Sequence, residues 1–278
     1  MAELNLFFPQ WQGGGDLALH AGALRLWERS GLEGFTEVPV SLKDELETES
    51  GILGRAPLSA QLAQVCRILE ECRPQTVFTV GGGCDTELAP VVYLNEKYAG
   101  ALSVIWFDAH GDLNTPASSK SKLFHGMPLR CLLQPDAFEC LGLPPRHYSA
   151  RLLPQQLVMV GTRDLDPPEA GWIGEQGIRI VTAAEAESME PEAFTALLAE
   201  NVYLHIDLDV LEPALFPSVL CPAPGGLTPD RLTALIRAVG RAKRIVGMSV
   251  LEYAPPGRCV KAEEAALLEA LLAEGRAL

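Results

Sequence analysis

The sequence predicts an α/β fold, a mostly parallel sheet with helices on both faces, and three observations carry that prediction. Short, nearly uninterrupted apolar runs recur along the chain, as in Ser103-Val104-Ile105-Trp106-Phe107 and Val202-Tyr203-Leu204-His205-Ile206. Such runs suit parallel strands, which are covered on both faces and lack the polar alternation of a one-sided sheet. Between the runs, apolar residues return at helical spacing, and strand–helix alternation builds a parallel sheet flanked by helices. Acidic clusters follow several runs directly, and open α/β sheets place ligand sites beyond the carboxyl ends of their strands.

In chain order the strand candidates are Leu4–Phe8, Thr36–Val40, Thr76–Val80, Ser103–Phe107, Leu157–Val160, Ile178–Val181, Val202–Ile206 and Ile245–Leu251. One helix carries Leu62, Val65, Cys66 and Leu69 on its apolar face and stops before Pro74, which cannot continue it. Another opens with Thr228 as N-cap and Pro229 at the first helical position. The hydroxyl satisfies a free backbone N–H there, and the proline φ is already helical. Its apolar face is Leu232, Leu235, Ile236 and Val239. The polar stretch Thr115–Lys122 and the proline-rich stretch Leu141–Tyr148 are expected as surface loops. There is no internal repeat, low-complexity tract or linker, so residues 1–278 are expected to form a single domain.

A chain of 278 residues with 48% hydrophobic and 21% charged residues has an ordinary globular composition. Its formal net charge of -14 argues against nucleic acid or an anionic membrane as partner, since both need clustered Lys and Arg. The seven cysteines (Cys66, Cys72, Cys84, Cys131, Cys140, Cys221 and Cys259) are odd in number and form no CxxC pair. That scatter reads as reduced thiols in an intracellular protein. Met1-Ala2-Glu3-Leu4 lacks the basic start of a signal peptide. No apolar run reaches the roughly 18 residues of a membrane helix. A cytoplasmic location is therefore expected by elimination.

Chemistry concentrates after four of the runs. Asp108-Ala109-His110-Gly111-Asp112 follows the 103–107 run, and alternate residues of an extended segment point the same way. Asp108, His110 and Asp112 can thus converge, and oxygen plus imidazole donors suit Mn, Fe or Zn. Alone, the cluster also reads as a polar strand end with one capping Asp. Asp207-Leu208-Asp209 ends the 202–206 run with two more carboxylates on one face, or equally a turn with solvated acids. Close carboxylates repel unless a cation or proton lies between them. Burying four without countercharge is too costly, and two divalent cations would supply the compensation. Gly81-Gly82-Gly83-Cys84-Asp85 permits a tight turn or a close ligand approach. It lacks the Lys-Ser/Thr ending of a phosphate-binding P-loop. Glu252 in Leu251-Glu252-Tyr253 and His125 in His125-Gly126-Met127 read, each alone, as a solvated acid and an ordinary loop histidine.

Together, the segments GGGCD, DAHGDLNTP, LFHGMPL, HIDLDVLEP, PGGLT and LEYAP, in this order between about residues 75 and 260, resemble the arginase/agmatinase (ureohydrolase) family. The resemblance implies a three-layer α/β/α domain with a mostly parallel central sheet, two Mn2+ per chain, and a homo-oligomer, trimer or hexamer. By position, Asp108 and Asp207 would bridge both ions, Asp112 would complete the first site, and His110 and Asp209 the second. His125 would shuttle protons, Glu252 would pair with the substrate guanidinium, and Asp112 would pass a proton to the leaving amine. Asn114 and Ser121 match positions that bind a substrate α-carboxylate. In Thr162-Arg163-Asp164-Leu165-Asp166 with Glu169, the contacts to an α-amino group would be Asp166 and Glu169, although RDLDPPE also reads as a capped turn.

Three departures stand out. Cys84 occupies the position of a histidine ligand of the first metal, Leu123 replaces a polar substrate contact beside Lys122, and Glu212 replaces an Asp before Pro213. A thiolate is softer than imidazole and would add negative charge to an acidic site. Cys84, with the GDxNTP and DVLEP wording, resembles the Nω-hydroxy-L-arginine hydrolase branch, so the expected products are ornithine plus urea or hydroxyurea. The alternatives are an agmatinase, a formimidoylglutamase or a metal-poor, non-catalytic member.

Overall fold

The computed structural model describes residues 3–31, 34–43, 45–134, 136, 151–257 and 261–278. The proline-rich stretch at 141–148, Cys140 and Cys259 lie outside the described residues. In chain order the first elements are β1 (Glu3–Phe8), α1 (Leu17–Ser30), β2 (Thr36–Glu37), β3 (Thr48–Glu49), β4 (Ile52–Leu53), α2 (Arg55–Cys72), β5 (Thr76–Gly81), α3 (Leu88–Lys97) and β6 (Leu102–Phe107). There follow α4 (Pro128–Leu133), β7 (Leu157–Val160), α5 (Pro167–Gln176), β8 (Arg179–Val181), α6 (Ala183–Ser188), α7 (Pro191–Thr195), β9 (Asn201–Ile206), α8 (Pro229–Ala242), β10 (Arg244–Val250) and α9 (Ala262–Arg276).

Eight strands form one sheet in the order β2-β1-β5-β10-β9-β6-β7-β8, and all its described pairings are parallel. Alternate residues of each strand feed opposite cores. Val104 and Trp106 join Leu58, Val65 and Leu69 of α2 and Leu94 of α3 on one face. Ile105 and Phe107 join Leu26 of α1, Leu235 and Val239 of α8 and Leu271 of α9 on the other. This is the expected three-layer α/β/α arrangement. Thr228 caps α8 by accepting from the Arg231 N–H at 3.2 Å, and its Leu232, Leu235, Ile236 and Val239 are all buried. Burying each such side chain stabilises the fold by about 1.5–3 kcal/mol.

Two elements depart from expectation. The run 36–40 yields a strand of only Thr36–Glu37. Val38 N–H still reaches Phe7 O at 2.9 Å, but Pro39 has no N–H to continue the ladder. The short antiparallel pair β3–β4 was not expected, because two residues per strand leave no periodic signal. Among the described residues no helix is long and apolar enough to cross a membrane.

Candidate metal centre and cavity

The chain assembles the site at the carboxyl ends of the four central strands. After β5, a Cβ on Gly82 would lie 1.7 Å from the Gln10 carbonyl oxygen, so only glycine fits. Gly82 N–H donates to Phe8 O at 3.0 Å, and Gly82 O accepts from Glu252 N–H at 2.8 Å. The ends of β1, β5 and β10 are thereby locked together. Cys84 then follows in a short 3-10 turn, and its N–H donates to Glu252 Oε1 at 3.1 Å.

After β9, Asp207 accepts from the Asp209 N–H at 2.7 Å and from the Cys84 thiol at 3.1 Å. After β6, Asp108 accepts from the His110 N–H at 2.6 Å and from Trp106 Nε1 at 3.1 Å. Asp209 accepts from the Ala109 N–H at 3.0 Å, and its other oxygen lies 2.9 Å from His110 Nδ1. Asp112 and Glu252 adopt left-handed φ values of 52° and 59°. Such backbone is unfavourable for non-glycine residues and clusters at functional sites.

Three groups of donor atoms, each mutually within 4.8 Å, result: Cys84, Asp108, Asp112 and His205; Cys84, Asp207 and Glu252; Asp108, His110 and Asp209. Burial and the neighbouring charge of Asp209 raise Asp108 to about 6. Burial and Asp108 push Asp112 well up, while burial with Asp209, Asp108 and Glu252 does the same for Asp207. Burial also raises the Cys84 thiol, and the surrounding carboxylates raise it further. Burial disfavours charge on His110, but its hydrogen bonds to Asp108 and Asp209 outweigh that and raise it. Asp112 Oδ2 has no hydrogen-bond partner among the described residues. Mutually repelling buried carboxylates with an unfilled acceptor are a donor set that fits divalent cations.

Above this floor is a cavity of about 250 Å³, lined by Cys84, His110, Asp112, Asn114, His125, Asp166, Glu169, Asp207, Asp209 and Glu252 among others. Asp108 is fully buried beneath it. His125 Nδ1 lies 3.1 Å from Glu252 Oε1. Burial opposes charge on His125, yet Glu252 outweighs it and raises its pKa. On the far wall Asn114 Nδ2 donates to Asp166 Oδ2 at 3.2 Å.

The capped turn allowed for in the sequence is present as well. Asp166 is the N-cap residue of α5, and Glu169 accepts from the N–H groups of Asp166 and Leu113, both at 2.9 Å. Glu169 is thus engaged in holding two loops, whereas the Asp166 carboxylate lines the cavity with its other oxygen 3.4 Å from the exposed Lys120 ammonium. Ser121 is brought elsewhere: it is exposed, it does not line the cavity, and its Oγ accepts from the Leu123 N–H at 3.3 Å. Lys122 reaches the Pro116 carbonyl at 2.8 Å, and Glu212 accepts from the N–H groups of Gly225 and Gly226 outside the donor set.

Sequence reasoning missed several residues. Asp164 and Cys221 line the cavity. Arg163 donates to the carbonyls of Asp209, Leu211 and Ala223, tying the loop after β7 to that after β9. His205 and Glu87 lie fully buried beneath the floor. The alternation that aligned Asp207 with Asp209 also puts His205 in step with them, and that signal was available.

The sequence profile of the Arginase family matches residues 21–274. The chain belongs to the arginase family. It is 34% identical over 169 residues to an arginase of Bacillus caldovelox, a stretch covering 57% of this chain and 55% of that protein. It is 31% identical over 186 residues to an N(omega)-hydroxy-L-arginine amidinohydrolase of Streptomyces lavendulae, covering 67% of this chain and 63% of that protein. The matched stretches thus span less than two thirds of these relatives' lengths. Among solved structures, Entamoeba histolytica arginase in complex with L-ornithine superposes with a TM-score of 0.84 over 100% of this chain and 99% of that one, at 18% identity. Bacillus caldovelox arginase superposes with a TM-score of 0.73 over 98% and 96%, at 25% identity.

Proposed function

We propose that this arginase-family chain is a metal-dependent amidinohydrolase that cleaves the guanidino group of an arginine-like amino acid to ornithine plus urea or hydroxyurea. The observation that carries the reading is the convergence of Cys84, Asp108, His110, Asp112, Asp207 and Asp209 beneath one cavity whose wall carries Glu252 and His125. Two divalent cations, Mn2+ by family expectation, would be held by those six residues. When bound they neutralise the carboxylates and supply Lewis-acid polarisation, which makes water a nucleophile near neutral pH.

The remaining roles belong to side chains. Glu252 holds the cationic guanidinium by charge-assisted hydrogen bonds. Its position is fixed by the Cys84 N–H and by His125. Asp112, at the cavity floor, takes a proton from the attacking water and returns it to the leaving amine. His125, in contact with Glu252, relays protons to solvent. Asp166, with Asn114 beside it, would receive the substrate α-amino group, and this favours an amino acid over agmatine.

Cys84 favours the hydroxylated substrate. With a thiol or thiolate in place of imidazole, bound cations would activate water less, and Nω-hydroxyarginine has a less basic guanidine than arginine. The amidinohydrolase relative from Streptomyces lavendulae supports the same choice. The test is hydrolysis of arginine, Nω-hydroxyarginine, agmatine and formimidoylglutamate by Mn2+-loaded protein. A preference for Nω-hydroxyarginine is expected. Turnover of agmatine or formimidoylglutamate alone would overturn the amino-acid reading, and metal binding with no turnover of any would favour a non-catalytic member.

A further inference from the structure

We infer that His205 supplies an imidazole donor to the first cation site, with Glu87 as the carboxylate that orients it. The inference rests on the proposed metal-dependent function and adds a ligand that the family resemblance does not assign. A ring nitrogen of His205 lies within 4.8 Å of donor atoms on Cys84, Asp108 and Asp112, all of them buried. Donors bound to one ion at about 2.0–2.4 Å are necessarily no farther apart than this. His205 is 0% exposed, yet neither ring nitrogen has a hydrogen-bond partner among the described residues. A buried imidazole left unbonded is costly, and a cation at this point would give one of its nitrogens a partner.

The surroundings fit a ligand. Nε2 faces Asp108 Oδ2 at 3.9 Å, and Nδ1 faces Glu87 Oε2 at 3.6 Å. A metal-bound histidine commonly turns its other nitrogen to a carboxylate, which fixes the ring and raises its donor strength. Glu87 is itself fully buried and has no other place in the proposed chemistry. Trp106, the register partner of His205 across β6 and β9, stacks on the imidazole at 3.5 Å between centroids and 6° between planes. The same indole donates to Asp108, so one side chain fixes both neighbouring donors. The donor set that has Cys84 where the family places histidine thus regains an imidazole from the next-but-one strand.

The competing view is that His205 is a core side chain packed against Trp106. X-ray absorption of the unaltered protein loaded with Co2+ separates the two without any variant. With two ions bound, imidazole scattering should count two rings per chain, His110 and His205. His205→Asn should remove one ring and weaken the first ion at least about tenfold, while Glu87→Gln should keep the ring count and weaken binding by about tenfold to a hundredfold. Two Co2+ with a single imidazole, or a His205→Asn protein with unchanged spectrum and affinity, would overturn the inference and leave the proposed function standing. Failure of the unaltered protein to bind Co2+ at all would overturn both.

Discussion

Asp207→Asn separates what the acidic floor does for the fold from what it does for metal. Asn is nearly isosteric and keeps the local hydrogen bonds: its carbonyl oxygen can accept from the Asp209 N–H, and its amide can point to the Cys84 sulfur, matching the contacts of Asp207. What changes is the charge. Without metal, Asp207 is buried against Asp209, Asp108 and Glu252, which together with burial hold it well above an ordinary carboxyl. The cluster sets its own scale: raising Asp108 from 3.8 to about 6 corresponds to on the order of 3 kcal/mol against the ionised form. Replacing the ionisable Asp207 carboxyl with a neutral isostere should therefore stabilise the metal-free protein at pH 8, by about 1–4 kcal/mol on the scale of replacing buried charges. At about 2 °C per kcal/mol for a chain of this size, the midpoint should rise by roughly 2–8 °C. In the proposed centre Asp207 would hold both cations, so the upward shift expected from Mn2+ with the unaltered protein should vanish with the substitution. The assay is thermal unfolding with EDTA and with excess Mn2+, plus elemental analysis. A lower metal-free midpoint, or an undiminished Mn2+ shift, would refute the reasoning.

The metal-free protein should lose stability between pH 6.5 and 8. His110 has a raised folded-state pKa, as do Asp112 and Asp207 and Glu87, which burial lifts to about 8, so across this interval the folded state binds more protons than the unfolded chain and stability falls as pH rises; Asp108, at about 6, contributes its share of the loss below the interval. His205 is depressed by burial and opposes this only below its ordinary value of 6.5; denaturant midpoints in EDTA that rise over the same interval would contradict the account. Asp166→Ala should lower kcat/KM for an α-amino acid substrate by roughly tenfold to a hundredfold through loss of a charge-assisted hydrogen bond, and an unchanged value would remove Asp166 from the binding site. Cys84→His replaces the thiol with a neutral nitrogen donor and should raise arginine hydrolysis relative to Nω-hydroxyarginine hydrolysis; equal changes in kcat/KM for both substrates would show that Cys84 has no electronic role.

The parallel sheet was legible because its strands are covered on both faces and advertise themselves as apolar runs. The candidate metal donors were legible because Asp108, His110 and Asp112, like Asp207 and Asp209, keep strand alternation past the strand end. Where local chemistry competes, the sequence leaves more than one outcome open. Pro39 cut the second strand short by lacking a donor. Glu169 fits a substrate contact and a capping box equally well in sequence, and the fold uses it to hold two backbone N–H groups. Ser121 lies on the loop between Asn114 and His125, both of which line the cavity, yet its hydroxyl serves its own turn. His205 hid inside an apolar run because burial, which made the strand recognisable, also removes the surface cue that marks a polar group as functional. The left-handed backbone at Asp112 and Glu252 had no sequence mark, since neither is glycine.

The order of the strands explains why the motifs had to be so far apart in sequence. In space β5, β10, β9 and β6 are consecutive, while in sequence β5 and β6 come first and β9 and β10 last. The chain lays down β5 and β6 with a gap two strands wide and fills that gap more than ninety residues later. Cys84, Glu252, Asp207 and Asp108 therefore form a row at the strand ends in that spatial order, each delivered by a different strand. Cys84 and Asp108 follow the two strands that flank the gap, and β10 and β9 place Glu252 and the Asp207–Asp209 pair between them. The donor set is thus complete only when β9 and β10 are in place, which ties any cation in the site to closure of the whole sheet rather than to one loop. A bound ion should accordingly protect the amides of β5, β6, β9 and β10 together against hydrogen exchange. Protection confined to the loops after β6 would mean that the ions are held by one segment and that the sheet forms independently of them.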